Sequence, residues 1–188
     1  MEKMNYSIKP GENEFQKARE TIENQLKALE NAIDVEDIEI VIGWQDFERP
    51  TNFQTTDSSL VLMLNSDYEW EGEVRRSLVH GLLELEFMEK SEYNDIDFHW
   101  QDIAMMSYVK GRGSEFLQEE YTEVKVDEKV SRILEELSKE DEEFSEILYK
   151  NAGNIATVIG RKVVETDRVD EIPSMKKKDI EKLIKEVL

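Results

Sequence analysis

The stretch SLVLMLNSDYEWEGEVRRSLVHGLLELEFMEK, Ser59 to Lys90, decides how this chain folds. Its opening, Ser59 to Asn65, is short, apolar and closed by Asn65-Ser66-Asp67, which predicts a strand too rich in hydrocarbon for a fully exposed surface. From Glu69 the apolar period changes. Val74, Leu78, Leu82 and Leu85 fall on one arc of a helix, and Val79, Leu83 and Phe87 on a neighbouring one. Two apolar arcs predict a long central helix running to Lys90.

Upstream, Phe15, Ala18, Ile22, Leu26 and Leu29 recur at spacings of three and four, giving an amphipathic helix over about Asn13 to Ala32 after a turn at Pro10-Gly11. The segment IEIVIGW, Ile38 to Trp44, is β-branched and bounded by charged residues, so it is a strand. Pro50, Asn52 and Asp57 mark the residues between the two strands as a loop. Downstream, a polar break from Glu92 to Asp97 precedes a helix over Phe98 to Phe116, which Gly111 and Gly113 weaken; Gly111-Arg112-Gly113 has the character of a flexible basic turn. Beyond Tyr121 the composition shifts. Helices are expected over Val126 to Leu137, Phe144 to Val164 and Lys176 to Leu188, with a turn at Ile172-Pro173-Ser174. The fold expected is α+β: a small sheet against a long central helix, over residues 1–121, then a helical extension over 122–188 that packs on this core.

Composition limits what such a fold can do. In 188 residues, 44 acidic side chains against 24 basic give a net charge of -20, spread along the whole chain. Nucleic acid and anionic membranes are therefore poor partners. There is no cysteine, which removes disulfides and thiolate chemistry, and only two histidines are present to bind a metal. No apolar run is long enough for a signal peptide or a membrane span, so a cytoplasmic protein is expected. The three tryptophans, Trp44, Trp70 and Trp100, flank predicted elements and are assigned to the core.

The chemistry concentrates in the predicted helix, where His80-Gly81-Leu82-Leu83-Glu84-Leu85-Glu86-Phe87 follows an apolar strand. This wording resembles the HExxH helix of zincin-type metallopeptidases, of the minimal gluzincin kind, which follows an edge strand. The resemblance covers some 75 residues, roughly Glu36 to Lys110, and implies a zincin-like core. In that family two histidines at i and i+4 hold Zn²⁺, and the glutamate after the first is the general base on the metal-bound water. Carried over, His80 keeps the first ligand position, Gly81 stands where the base belongs, and Glu84 replaces the second histidine. A third, carboxylate ligand would come from the next helix, with Asp102 the nearest candidate and His99 another.

The resemblance thus implies a degenerate, proteolytically inactive zincin-like protein that binds a peptide or protein partner along the strand Ser59 to Asn65. No cofactor is expected in that reading, and the alternatives are an active metal-dependent hydrolase using His80, Glu84 and a downstream ligand such as Asp102, with zinc a possible metal, and a purely structural or regulatory interaction protein. Because 44 of 188 residues are acidic, a helical histidine meets an acid at i±3 or i±4 roughly two times in three by chance. An ordinary His-Glu pair on a helix face is therefore a full competitor to a metal site. Gly81 carries separate weight, since glycine inside a helix costs about 0.5–1 kcal/mol relative to alanine and asks for a close neighbour, either a tightly packed helix or a groove.

Overall fold

The computed structural model describes residues 4–9, 15–56, 58–91, 98–117, 155–156, 159–160 and 162–187. The fold is α+β, and it divides into two compact units, Met1–Glu89 and Lys90–Leu188. The boundary between the units falls at the end of the helix Glu71–Lys90. Within the second unit the helix Phe98–Leu117 packs with the C-terminal elements.

The first unit holds β1 (Tyr6–Lys9), α1 (Gln16–Leu29), β2 (Ile38–Trp44), β3 (Thr51–Thr56), β4 (Ser59–Leu64) and α2 (Glu71–Lys90). The strands form one sheet in the order β1-β2-β4-β3, with β1, β2 and β4 parallel and β3 antiparallel to β4. β4 is thus an interior strand, paired on both sides. Strand addition along Ser59 to Asn65, as the sequence suggested, has no free edge to use; among the described residues the edges of the sheet are β1 and β3.

Strand alternation separates the sheet into two unlike faces. Ile8, Ile38, Ile40, Ile42, Leu60, Leu62 and Leu64 point to one side and are buried. This is the side of the helices: α1 buries Ala18, Ile22, Leu26 and Leu29, and α2 buries both of its apolar arcs. The two helices are tied by Arg75 Nη1 donating to Gln25 Oε1 at 2.9 Å and by the Lys17–Glu71 ion pair. The opposite face carries Ser7, Lys9, Glu39, Val41, Gly43, Ser59, Val61, Met63, Asn52, Gln54 and Thr56, all half-exposed or exposed. On it Lys9 and Glu39 pair at 2.5 Å, and the Met63 sulfur lies 2.8 Å from where a Cβ on Gly43 would stand, filling the space that glycine leaves.

In the second unit α3 (Phe98–Leu117) packs with a 3₁₀ helix (Val169–Ser174) and α4 (Lys177–Val187), and residues 155–156, 159–160 and 162–165 are helical. Gly111-Arg112-Gly113 is helical, not a turn. Gly111 faces Val169, and a Cβ on Gly160 would approach the Ser107 carbonyl oxygen at 3.0 Å, so glycines permit close backbone contact here. The lysines that open α4 oppose its dipole. They are offset locally: the Lys176 N–H donates to Asp179 Oδ2 at 3.0 Å, and Lys177 Nζ lies 5.4 Å from the centre of the Trp100 ring. The helix expected over Val126 to Leu137, and most of the one expected over Phe144 to Val164, lie outside the described residues.

Candidate functional site

The residues singled out on α2 face the edge strand β3. Three successive inward positions of that strand meet three positions on one stripe of the helix. Thr51 Oγ1 and Ser77 Oγ share a buried hydrogen bond of 2.8 Å, the Phe53 and His80 rings meet edge to face with centroids 6.3 Å apart, and Thr55 Oγ1 donates to Glu84 Oε2 at 2.7 Å. A strand repeating every two residues and a helix stripe at i, i+3 and i+7 keep step over this length, because four strand residues and seven helix residues cover similar distances. His80 and Glu84 therefore hold an edge strand against its helix. The hydrogen bond above them gives a direct test. Ser77→Ala leaves a buried Thr51 hydroxyl without its partner and is expected to cost about 1–3 kcal/mol. Thr51→Val together with Ser77→Ala is expected to recover most of that loss in urea unfolding, and a double variant no better than Ser77→Ala would refute the pairing.

Gly81 points elsewhere. Its α-carbon faces the sheet, and a Cβ there would overlap Leu60 Cδ1 and lie 3.1 Å from Cδ2, with Leu60 itself fully buried. The close neighbour that the mid-helix glycine called for is thus a strand, neither a second helix nor a groove. Position 81, the place of the general base in the metallopeptidase motif, is a packing position in this protein.

Asp102 lies on α3, in the second unit. Among the described residues no group of three or more His, Asp or Glu side chains converges as a metal site. Trp44 departs from the core assignment: it is 39% exposed, whereas Trp70 and Trp100 are buried. Trp44 stacks on Phe15 at 5.5 Å and meets the Trp70 edge at 6.3 Å, closing the end of the sheet where β2 stops.

Two further features escaped the sequence reading. Glu86, six residues beyond the histidine, is fully buried and accepts the Asp34 N–H at 3.1 Å. Glu89 sits near it, and burial raises its carboxyl above the ordinary value of 4.5; the Glu36 N–H pulls it down, while Glu36, Asp34 and Glu86 raise it further by like charge. A carboxyl with a raised folded pKa binds its proton more tightly in the folded state, so its contribution to stability falls as pH rises from about 4.5 through that raised value. The melting temperature is expected to climb as pH is lowered through this window, and Glu89→Gln to flatten the climb. An unchanged slope would exclude Glu89 as its source.

A shallow polar recess of about 430 Å³ lies at the start of β1 and β2, lined by Asn5, Tyr6, Ser7, Asp37, Ile38 and Glu39. Asp37 has φ 49° there and accepts the Asn5 side-chain N–H at 2.9 Å. Among the described residues no helix is long and apolar enough to cross a membrane. Compared with protein-family models, curated proteins and solved structures, the chain matches none of them.

Proposed function

We propose that this protein is a non-proteolytic, zincin-like binding protein that takes up an extended peptide segment of a partner at the free edge of β3, not at β4. The observation that carries this reading is the state of the β3 backbone. The Asn65 N–H bonds the Pro50 carbonyl at 3.0 Å, which fixes the phase of the β3–β4 ladder so that Asn52, Gln54 and Thr56 pair with β4. The N–H and C=O groups of Thr51, Phe53 and Thr55 then point away from β4, and among the described residues they have no partner. Their side chains are anchored on α2, so the edge is a fixed template for main-chain recognition.

The other edge is guarded. The Ile8 carbonyl of β1 accepts from Arg19 Nη1 at 3.4 Å, and β1 ends in Lys9. The helix beside β3 carries His80 and Glu84 as its seam and Gly81 as its contact with the sheet, which favours binding over hydrolysis. With a net charge of -20 the protein favours a cationic partner segment.

The test is a titration of isotope-labelled protein with an octapeptide of alternating lysine and valine. The expected result is movement of the Thr51, Phe53 and Thr55 amide resonances ahead of all others, and no movement with the same peptide methylated on alternate backbone nitrogens. Equal binding of both peptides would mean that charge, not strand pairing, drives the contact, and would overturn the proposal.

A further inference from the structure

The edge that would accept a peptide is also complementary to itself, and we propose that a second copy of this chain pairs with it, β3 against β3, about a two-fold axis through Phe53. This rests on the same free edge as the peptide reading but names a different occupant. In antiparallel pairing two strands exchange both hydrogen bonds at every second residue. Centred on Phe53, the register sets Thr51 against Thr55 of the second copy, Phe53 against Phe53, and Thr55 against Thr51. These are the residues whose N–H and C=O groups point away from β4. Every outward group on the strand is matched, and the contact is isologous, so it closes at two copies. The two sheets become one continuous sheet, with α2 of both copies on the same side.

Charge selects this strand. In a chain with 36% charged residues, Thr51 to Thr56 reads TNFQTT and holds none. Edge strands are ordinarily protected by lysine, proline, a bulge or inward charge; β3 pairs with β4 in unbroken register from Thr51 to Thr56 and has none of these within it. Two copies that each carry a charge of -20 repel elsewhere, yet the two strands themselves bring no like charges against one another. The contact is small, so it belongs to the weak, concentration-dependent class. It also covers the edge, so a partner segment binds at the expense of the dimer.

The experiment is light scattering with size-exclusion chromatography on the full chain, loaded from micromolar to millimolar. The wild type is expected to rise from 22.1 kDa towards twice that mass. Asn52 and Gln54 lie on the exposed face and face one another across the proposed axis, so their charge can be set without touching α2. Asn52→Lys with Gln54→Lys, and separately Asn52→Glu with Gln54→Glu, are each expected to stay monomeric with an unchanged melting temperature. Mixed in equal amounts, the two variants are expected to dimerise again, which a merely structural effect of the substitutions would not produce.

A wild type that remains at 22.1 kDa throughout overturns the proposal. So does a dimer that survives in the lysine variant, because that dimer is built elsewhere. The glutamate variant, titrated with the lysine-valine octapeptide, separates the two readings. A monomeric wild type whose glutamate variant binds peptide removes self-pairing alone. A dimeric wild type whose glutamate variant binds no peptide removes the peptide reading alone.

Discussion

Gly81→Glu is expected to be the most damaging single substitution in α2, with a loss of about 3–5 kcal/mol in urea unfolding followed by circular dichroism. The side chain would have to enter a space already filled by Leu60, which is fully buried and has nowhere to retreat. It would also carry a carboxyl against the inner face of the sheet without a designed partner. Gly81→Ala divides the effect. Alanine gains about 1 kcal/mol of helix propensity over glycine but meets the same Leu60 methyl groups, at about 1–3 kcal/mol for overpacking, so a smaller net loss follows. Leu60→Ala in the Gly81→Ala background is expected to cost less than Leu60→Ala alone, because the added methyl occupies part of the cavity. If Gly81→Glu unfolds at the wild-type urea concentration, α2 does not press on β4 at this point. The same clash bears on restoring the metallopeptidase wording with Gly81→Glu and Glu84→His: that double substitution tests packing first and zinc second.

The second large effect is expected one strand residue away from a small one. Leu62 faces α2, is fully buried, and stands between Ile42 and Phe53 in the sheet register. Leu62→Ala removes buried hydrocarbon and leaves a cavity in the centre of the first unit, for about 3–4 kcal/mol. Its neighbour Val61 faces the opposite side and is half-exposed. Val61→Ala is expected to cost no more than ~1 kcal/mol. The ratio of the two measures how far the outer face is open to water, and equal costs would mean that something buries it.

That comparison also shows where sequence patterning stopped being informative. Ser59 to Asn65 is apolar at nearly every position, which marks it as a strand not fully exposed but does not say which face is covered: Val61 and Met63 are half-exposed while Leu60, Leu62 and Leu64 are buried. Elements that bury a continuous stripe were legible almost to the residue: β2 is Ile38–Trp44, β4 ends one residue before the expected Asn65, and α2 and α3 begin and end within two residues of expectation. The two strands that went unread are both edges. TNFQTT offers one apolar residue of six and reads as a loop, and β1, YSIK, buries only Ile8. An edge strand gains much of its stability from a ladder on one side and from contacts such as Thr51 with Ser77, and neither leaves an apolar alternation in the sequence.

The candidate site shows the same limit. The spacing of His80 and Glu84 places both on one helical stripe, as the structure shows, but what that stripe faces depends on β3, whose sequence reads as a loop. Gly81 was legible as a close approach, and only the fold could say that Leu60 makes it.

The strand order has a consequence for how the chain acquires this shape. β3 and β4 are joined through residues 57 and 58, so their ladder is local in sequence and closes on the microsecond scale of hairpins. Pairing of β1 with β2 and of β2 with β4 bridges the whole of α1 or the hairpin itself, and has to wait for the loop-closure cost to be met. During synthesis all four strands emerge before the buried residues of α2 that cover their apolar side. For that interval the nascent chain presents an uncharged edge together with an apolar face that only α1 is available to cover, a state in which neighbouring chains on one messenger can cross-pair. Slow translation across Glu71–Lys90 would lengthen that exposure, and rapid delivery of the helix would end it.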